Sequence, residues 1–330
     1  MSTLAREVYL GSYLEPLGPF LARADVTDIY INQPGEVWIE ALGMDPERVE
    51  VPDLTPALLQ RLARQIAAMN AQGVNREHPL LAGSLPDGSR VQIVLPPATR
   101  GAIAMAIRRH ITSGLVLEDY AAAGAFERTA FTQGIQRGIQ PEPETQERDV
   151  MAMLRTAVRE RRNVLISGGT SSGKTTFLGA LLREIPSHER LILIEDTAEL
   201  PVTHANAVGL LAARGVTGEA AVTAEDLLIA SLRMRPDRII LGEMRGSEAL
   251  TFLRAVNTGH PGSLSTIHAD SPERAIDQLA LLVLQTGARM AWDDVVRYIT
   301  HSLDLIVQLR RDGGRRRVES VMRPRMDGQW

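Results

Sequence analysis

The 330-residue sequence predicts an α/β domain with a mostly parallel sheet, preceded by a smaller α+β domain. From about residue 149 onward, short β-branched runs alternate with segments of helical periodicity. The first 135 residues instead mix a hairpin, a helix and two further strand segments. Between them, residues 136–148 are polar, carry two prolines and lack periodicity, which is typical of a linker. The predicted domains are therefore residues 1–135 and 149–330.

The elements of the first domain follow from turn and cap signals. VTDIYINQPGEVWIE (26–40) predicts a β-hairpin around a Pro-Gly turn, and TPALLQRLARQIAAMNAQG (55–73) predicts a helix capped by Thr55 and stopped by Gly73. Residues 1–20 predict a first helix, whose apolar side chains Leu4, Val8, Leu10 and Leu14 are expected to pack on this domain rather than on a membrane. Two more strands are expected within residues 85–97 and 101–109.

The second domain is predicted from the alternation of short apolar runs, typical of buried strands, with segments of helical periodicity. The expected strands, all short and apolar, are residues 163–167, 191–195, 207–211, 238–243, 263–267 and 304–309. The expected helices lie at about 149–161, 174–184, 223–233, 246–257, 272–286 and 292–300.

Composition excludes several classes of protein. A net charge of −4 and a pI near 6.0 argue against a dedicated nucleic-acid binder, and the aromatic content of 4% offers no stacking platform for single strands. The absence of cysteine excludes disulfides and thiolate metal sites. The N-terminal residues lack a signal-peptide core, and no stretch approaches the ~20 apolar residues that a membrane span needs. We expect a cytoplasmic protein, at most peripheral to a membrane.

A phosphate-binding loop is the strongest motif in the chain. NVLISGGTSSGKTT (163–176) contains G-x-x-x-x-G-K-T between a β-branched run and a helix, which is the context that such a loop needs. Its glycines allow the backbone amides to surround a phosphate at a helix N-terminus. Lys174 is the one lysine among 36 basic residues, and an ammonium at this position is expected to reach the β- and γ-phosphates. The expected nucleotide contacts are Gly168, Gly169, Thr170, Ser171, Ser172, Gly173, Lys174, Thr175 and Thr176.

Acidic residues and a histidine follow three other predicted strands. LILIEDTAEL (191–200) places Glu195 and Asp196 at a strand end, and RIILGE (238–243) does the same for Glu243. Because the carboxyl ends of parallel strands border the ligand crevice, Glu195 is the expected general base, with Asp196 beside the nucleotide. His268 follows the run at 263–267 and is expected to sense the γ-phosphate. Solvated charged strand ends and a structural histidine are the alternative interpretations.

A divalent cation is expected with the nucleotide. The Thr175 hydroxyl is the predicted direct ligand of Mg²⁺, with Glu243 as a second predicted contact. Nucleotide-hydrolysing domains often carry another acid immediately before the position of Glu243, where this chain has Gly242.

Four motifs together resemble the hexameric ATPases of secretion systems. They are GGTSSGKTT (168–176), IEDTAEL (194–200), ASLRMRPDRIILGEMRG (230–246) and TGHPGSLSTIHAD (258–270). INQPGEVWIE, DGSRVQIVLPP and IRR extend the resemblance into the first domain, so that it covers nearly the whole chain. Within this family, the sequence is most similar to the type IV secretion and conjugative DNA-transfer branch. The lack of cysteine disfavours the type II and pilus branches, several of whose members carry a tetracysteine zinc element.

The resemblance implies a fold, an assembly and further site residues. It implies a RecA-like ATPase domain after the α+β domain, a homo-hexameric ring, and ATP with Mg²⁺ bound between the domains. Glu195 and Asp196 match the family's acidic box, Glu243 its Walker B element and His268 its histidine box. The arginines that match the family's pattern are Arg233, Arg235, Arg90, Arg108 and Arg109. The first two are expected to be catalytic and the other three to bind nucleotide, within a subunit or across the interface.

The resemblance implies a motor that couples ATP hydrolysis to type IV secretion: pilus biogenesis, or transfer of DNA or protein. Its partners would be other components of the secretion machine, on the cytoplasmic face of the inner membrane. The alternatives are an ATPase of a type IV pilus or type II machine, and a nucleotide-gated docking platform with little turnover. Direct nucleic-acid binding is not indicated by the charge. The arginine-rich tail (308–325) is expected to form a terminal hairpin with a solvated charged face, or else to contact lipid headgroups or a partner.

Overall fold

The structure is a computed structural model, which describes residues 10–41, 44–70, 72–109, 114–135, 147–212, 222–312 and 315–325. These residues form two compact units. The first unit contains the described residues up to Arg109, together with Val222. The second contains the residues between Gly114 and Ala212 and those from Thr223 onward. Among the described residues, no helix is long and apolar enough to cross a membrane.

The first unit is an antiparallel sheet with helices. Its strands are β1 (Val26–Ile31), β2 (Glu36–Ala41), β3 (Glu47–Glu50), β4 (Leu80–Ser84), β5 (Arg90–Val94) and β6 (Ala104–Arg108). They pair in the order β3-β2-β1-β6-β5-β4. Residues 10–14 are helical and lead through a 3₁₀ turn (Glu15–Leu17) into α1 (Gly18–Leu21), and α2 is Pro56–Met69.

The long helix α2 covers the sheet of the first unit. Thr55 caps its N-terminus by accepting a hydrogen bond from Leu58 N, as predicted. Apolar side chains of α2 recur at helical spacing and are fully buried, together with those of β1, β2, β5 and β6. Leu10 is buried in the same core and Leu14 packs against it, which agrees with the expectation for the N-terminal segment. The other predicted apolar contacts of that segment, Leu4 and Val8, lie outside the described residues.

The second unit is a largely parallel eight-stranded sheet. Its strands are β7 (Ala130–Gln133), β8 (Val164–Gly168), β9 (Leu191–Glu195), β10 (Ala207–Leu211), β11 (Arg238–Leu241), β12 (Leu264–Ile267), β13 (Leu305–Asp312) and β14 (Arg315–Arg323). Their order is β10-β9-β11-β12-β8-β13-β14-β7. Every pair is parallel except the hairpin β13–β14.

Helices lie on both faces of this sheet. They are α3 (Leu117–Ala122), α4 (Glu147–Arg159), α5 (Lys174–Leu182), α6 (Ala224–Ser231), α7 (Glu248–Asn257), α8 (Pro272–Gln285) and α9 (Trp292–Ser302). Alternate residues of the central strands enter two separate cores. Leu191 and Leu193 pack with α4 and α5, whereas Ile192 and Ile194 pack with α6, α7 and α8. A sheet buried on both faces accounts for the continuous apolar runs that predicted these strands.

Residues 114–135 belong to the second unit, which places the division ahead of the predicted boundary at residue 135. The strand β7 pairs with β14, and Ala125 O accepts a hydrogen bond from Val318 N. Arg155 of α4 pairs with Glu118 of α3 and, at 2.8 Å, with Glu184. The predicted linker lies mostly outside the described residues.

Candidate nucleotide-binding site

The carboxyl edge of the parallel sheet gathers the predicted motifs. The strands β9, β11, β12 and β8 lie side by side and point the same way, so the residues that follow them meet at one edge. This edge carries Glu195, Glu243, His268 and the glycine-rich loop after β8. The sheet therefore places the predicted carboxylates and the histidine on one flank of the loop.

The loop Gly168–Gly173 has a curled backbone that its sequence requires. A Cβ atom at Gly168 would lie 2.5 Å from Ser172 Oγ and 2.9 Å from Leu309 O, so no side chain fits there. Ser171 has φ 58° and Gly173 has φ 90°, both in the left-handed region. The Ser172 hydroxyl donates to Gly169 O at 2.8 Å and closes the turn. The loop thus enters α5 as a phosphate-binding loop does.

Lys174 folds back over this loop. Its amine donates to Gly168 O at 2.8 Å and to Gly169 O at 3.0 Å, and lies 3.3 Å from Nδ1 of His268. Burial lowers the pKa of Lys174 to about 8, although the nearby Glu243 carboxylate acts in the opposite direction. The cation is therefore held at the mouth of the loop by backbone oxygens.

Glu243 connects the histidine to a further arginine. Its Oε1 lies 2.8 Å from His268 Nε2, although the ring N–H is not aligned for a regular hydrogen bond, and it forms an ion pair with Arg245. Burial alone would raise the pKa of Glu243, but the close contacts with His268 and Arg245 outweigh it and lower the pKa to about 2. Glu243 is therefore an ionised, largely buried carboxylate one imidazole away from Lys174.

The segment after Glu243 is held by a second carboxylate. Glu248 Oε1 accepts hydrogen bonds from Arg245 N at 2.6 Å and Gly246 N at 2.8 Å. This contact fixes the backbone from which Arg245 reaches Glu243. Sequence analysis missed both residues; the available signal was an acid three positions after Arg245, at the first turn of a helix.

Glu195 is buried and bound to backbone amides. Its Oε1 accepts from Glu199 N at 2.9 Å and Leu200 N at 2.8 Å. A Cβ atom at Gly242 would lie 3.3 Å from Glu195 Cγ, so the two strand ends touch. Asp196 follows it at the surface of the same edge, half-buried.

The first turn of α5 supplies the predicted cation ligand. Thr175 and Thr176 are half-buried there, directly after Lys174. The described residues contain no cluster of three or more acidic or histidine side chains that could hold a metal. One hydroxyl fits Mg²⁺ bound with a nucleotide, because this ion takes few protein oxygens and completes its shell with water and phosphates. Glu243 would join only after exchanging its contacts with Arg245 and His268.

Arg233 and Arg235 lie away from this edge. Both are exposed and precede β11, at its amino end, whereas Glu243 follows its carboxyl end. Arg235 has φ 57°, a left-handed conformation uncommon for its residue type. The structure therefore does not bring these two arginines to the loop of the same unit.

The three first-unit arginines that are predicted to bind nucleotide lie together at one end of its sheet. Arg90 of β5 is paired in register with Arg108 of β6. Arg108 forms an ion pair of 3.0 Å with the largely buried Asp28, and Arg109 donates to the backbone oxygens of Arg23 and Val26. Arg108 and Arg109 thus have structural contacts within their own unit.

The comparison with protein families decides the assignment. The family model described as "Type II/IV secretion system protein" matches residues 13–320, nearly the whole chain. The chain belongs to this family. The resemblance inferred from its four motifs is confirmed.

Relatives within the family are similar over almost their full length. The chain is 36% identical over 326 residues to the type IV secretion system protein VirB11 of Bartonella henselae, covering 93% of this chain and 91% of the relative. It is 37% identical over 329 residues to the type IV secretion system protein PtlH of Bordetella pertussis, covering 96% and 95%. Both relatives belong to the predicted type IV branch.

Three solved structures resemble the chain as well. The VirB11 ATPase of Brucella suis, solved with sulphate, is 35% identical and covers 96% of this chain and 95% of its own, with a TM-score of 0.49. The ATPase DotB of Legionella pneumophila is 18% identical with a TM-score of 0.60, covering 94% of this chain and 79% of its own. The pilus retraction motor PilT with bound ADP is 21% identical with a TM-score of 0.56, covering 91% and 77%. The likeness to DotB and PilT confirms the predicted α/β fold with its RecA-like domain.

Proposed function

We propose that this protein is an ATPase of a type IV secretion system, which couples ATP binding and hydrolysis to pilus biogenesis or substrate transfer. One observation carries the proposal. Lys174 of the phosphate-binding loop, His268 after β12 and Glu243 after β11 form a continuous chain of contacts, although they come from three separate segments. The printed names of its relatives, type IV secretion system proteins and a VirB11 ATPase, support the same function.

Nucleotide binding would exchange the partners of Lys174. Its amine is bound to two loop carbonyl oxygens and faces His268. The phosphates of ATP offer charged acceptors in place of these neutral ones, and charge-assisted hydrogen bonds are the stronger kind. The amides of the loop and of the first turn of α5 would bind the same phosphates. Mg²⁺, held by Thr175, would neutralise charge that develops on the phosphates.

The carboxylates have distinct proposed roles. Glu195, held in place by the amides of Glu199 and Leu200, is the proposed general base that orients the attacking water. Glu243, at the next strand end, would orient His268 and the metal's water shell, and the release of His268 on hydrolysis would report the state of the γ-phosphate. Arg245, which pairs with Glu243, would be freed for the phosphates when that pair opens.

A ring of identical subunits would complete the site. Arg233 and Arg235 lie at the amino edge of the sheet, opposite the loop of their own unit. A head-to-tail ring, which we propose to be a hexamer, would bring this edge to the site of a neighbour, where an arginine stabilises the transferring phosphoryl group. The first-unit arginines Arg90, Arg108 and Arg109 are proposed to bind the nucleotide, within their own subunit or across the subunit interface. The ring would work on the cytoplasmic face of the inner membrane, with the other components of the secretion machine.

Phosphate release by the purified protein tests the proposal. We expect Mg²⁺-dependent turnover of ATP that Lys174→Ala abolishes and that the exposed control Arg274→Ala retains. ATP binding without turnover, even with membranes and partner proteins present, would overturn the proposal in favour of a nucleotide-gated docking platform.

A mixing experiment tests the ring. Lys174→Ala and a double Arg233→Ala/Arg235→Ala variant should each be inactive alone. Mixed in equal amounts, they should recover about a quarter of wild-type activity, because a random head-to-tail ring pairs one intact loop with one intact arginine edge at about that frequency. No recovery, under conditions in which wild-type subunits exchange, would mean that these arginines act within their own subunit or not at all.

A further inference from the structure

The terminal hairpin reaches past the edge of the sheet that carries the phosphate-binding loop. The strand β13 runs parallel to β8, and its Leu309 is paired with Gly168, the last residue of β8. Arg310 and the residues after it therefore extend beyond this edge, and β14 returns from Arg315. The hairpin predicted for the arginine-rich tail thus exists, and its outer end lies beside the loop.

Ion pairs join the arginines of one face of this hairpin to its acids. Arg310 pairs with Glu319 at 2.6 Å, and Arg317 pairs with Asp312 at 2.9 Å. Successive side chains of a strand point to opposite faces, so Arg316 lies on the other face. Val318, two residues further on that face, is fully buried in the core beside α5.

Arg316 lies across the loop itself. A Cβ atom at Gly173 would lie 2.9 Å from Arg316 Cδ and 3.8 Å from its Cζ. Gly173 is the residue that joins the curled loop to α5, whose first turn presents free amides. In the part of the chain that the structure describes, no carboxylate pairs with Arg316.

This arrangement favours an anion between the hairpin and the loop. The half-buried Arg316 guanidinium adds to the positive potential of the α5 N-terminus. A phosphate bound at the loop would supply the counter-charge for both.

The strand order tells which part of a nucleotide would lie there. Glu195, Glu243 and His268 follow β9, β11 and β12, which all lie on one side of β8. The strands β13 and β14 lie on the other side. Since the hydrolytic groups surround the terminal phosphate, Arg316 flanks the end of the phosphate chain nearer the nucleoside.

We propose that Arg316 is a nucleotide-binding residue that contacts the phosphates nearer the nucleoside, which ADP and ATP share. This inference rests on the proposed function of the loop. The terminal hairpin is then part of the nucleotide site rather than a solvated or lipid-binding face.

Nucleotide affinity of the full-length protein tests the proposal. Loss of one charge-assisted hydrogen bond predicts that Arg316→Ala weakens the binding of ADP and of a non-hydrolysable ATP analogue alike, by about tenfold or more. Turnover at saturating ATP should stay near wild type while KM rises by the same factor. Arg316→Lys should recover part of the affinity. Arg315→Ala, the same change one residue away on the other face, should bind like wild type.

Two further results complete the test. Arg316→Met keeps the aliphatic stem over Gly173 and should lose as much affinity as Arg316→Ala, which separates charge from packing. Unchanged affinity in Arg316→Met, a loss confined to the ATP analogue, or an equal loss in Arg315→Ala would overturn the proposal. If the wild-type protein binds nucleotide without hydrolysing it, the proposed function fails while the affinity test of Arg316 still stands.

Discussion

A buried arginine at the base of the second unit allows a demanding test of how its sheet is stabilised. Arg238 opens β11 and is fully buried. Its guanidinium donates to both carboxylate oxygens of Glu189, at 2.7 and 2.8 Å, and to Val158 O at 2.6 Å. Gly262 faces the same guanidinium, since a Cβ atom there would lie 2.8 Å from Arg238 Nη1. Arg238 thus joins the starts of two strands and the end of α4.

Replacing Arg238 by Met should leave Glu189 as an uncompensated buried charge. Breaking one partner of a buried pair costs about 3–5 kcal/mol of the free energy of unfolding. For a folding unit of about 150–250 residues, this corresponds to a fall of roughly 6–20 °C in Tm. The matched control is Arg161→Met, because Arg161 contacts the same carboxylate at 3.3 Å but is 39% exposed. Its loss should cost about 0–1 kcal/mol.

The assay is thermal and urea unfolding of the two variants and of Arg238→Met/Glu189→Gln. Because Glu189→Gln removes the buried, unpaired carboxylate, the double variant should be more stable than Arg238→Met alone. The pH dependence adds a second criterion. Burial opposes ionisation of Glu189, but Arg238 outweighs it and lowers the pKa of the carboxyl below its ordinary value of 4.5. A lowered folded-state pKa contributes stability above pH 4.5 that is lost as pH falls through the folded value. The difference in the free energy of unfolding between wild type and Arg238→Met should therefore become smaller at acidic pH.

Equal destabilisation by Arg161→Met and Arg238→Met would refute this reasoning, because burial would then not decide the cost. If the difference in unfolding free energy between wild type and Arg238→Met stays constant from pH 7 to pH 3, the lost stability comes from packing rather than from the ion pair.

Of three further predictions, two concern the candidate site and one concerns a helix cap. Glu243→Gln should bind ATP but release phosphate at least about a hundredfold more slowly; near-normal turnover would show that the carboxylate is misassigned. Gly242→Asp should reduce turnover more than Gly242→Ala, because a Cβ atom there lies 3.3 Å from Glu195 Cγ and the aspartate adds a like charge; equal rates would show that Glu195 is not displaced. Thr55→Ala should cost about 1 kcal/mol in urea unfolding, since Leu58 N loses its cap, and no change would mean that water replaces the hydroxyl.

The second unit could be predicted from sequence because its signals are local. Buried parallel strands read as continuous apolar runs, and the observed strands from β8 to β13 begin within a residue of their predicted starts. Two helices of this unit begin at a hydroxyl cap: Ser271 accepts from Arg274 N at α8, and Thr223 accepts from Asp226 N at α6. The phosphate-binding loop joins a predicted strand to a predicted helix, so its context was complete in one stretch of sequence.

Distant pairing was not predictable in the same way. The strand β7 looks like part of the first domain until its partner β14, nearly 200 residues later in the chain, is placed beside it. The end of α2 also depends on another strand. Asn70 accepts from Ser84 N and donates to Ser84 O, which ends the helix at Met69 rather than at the predicted Gly73. A single sequence carries no signal for such contacts.

The candidate site likewise has features that local sequence predicts and others that depend on contacts between distant segments. The positions of Glu195, Glu243 and His268 followed from strand ends, but the contact between His268 and Lys174 requires β12 to lie next to β8. Arg245 was missed because nothing local indicates that it pairs with Glu243. The amino-edge position of Arg233 and Arg235 could have been recognised, since both precede a predicted strand of a parallel sheet.

The glycine before Glu243 has a physical explanation in the neighbouring strand. Gly242 N donates to Ile194 O at 2.8 Å, which sets the end of β11 against the end of β9. A Cβ atom at 242 would then lie 3.4 Å from that carbonyl oxygen and 3.3 Å from Glu195 Cγ. An acid at 242 and the observed Glu195 would therefore compete for one space and repel each other. The second carboxylate of this edge comes from β9 instead of β11, and the amides of Glu199 and Leu200 hold it there. The single acid of this strand end and the buried Glu195 are thus two parts of one arrangement.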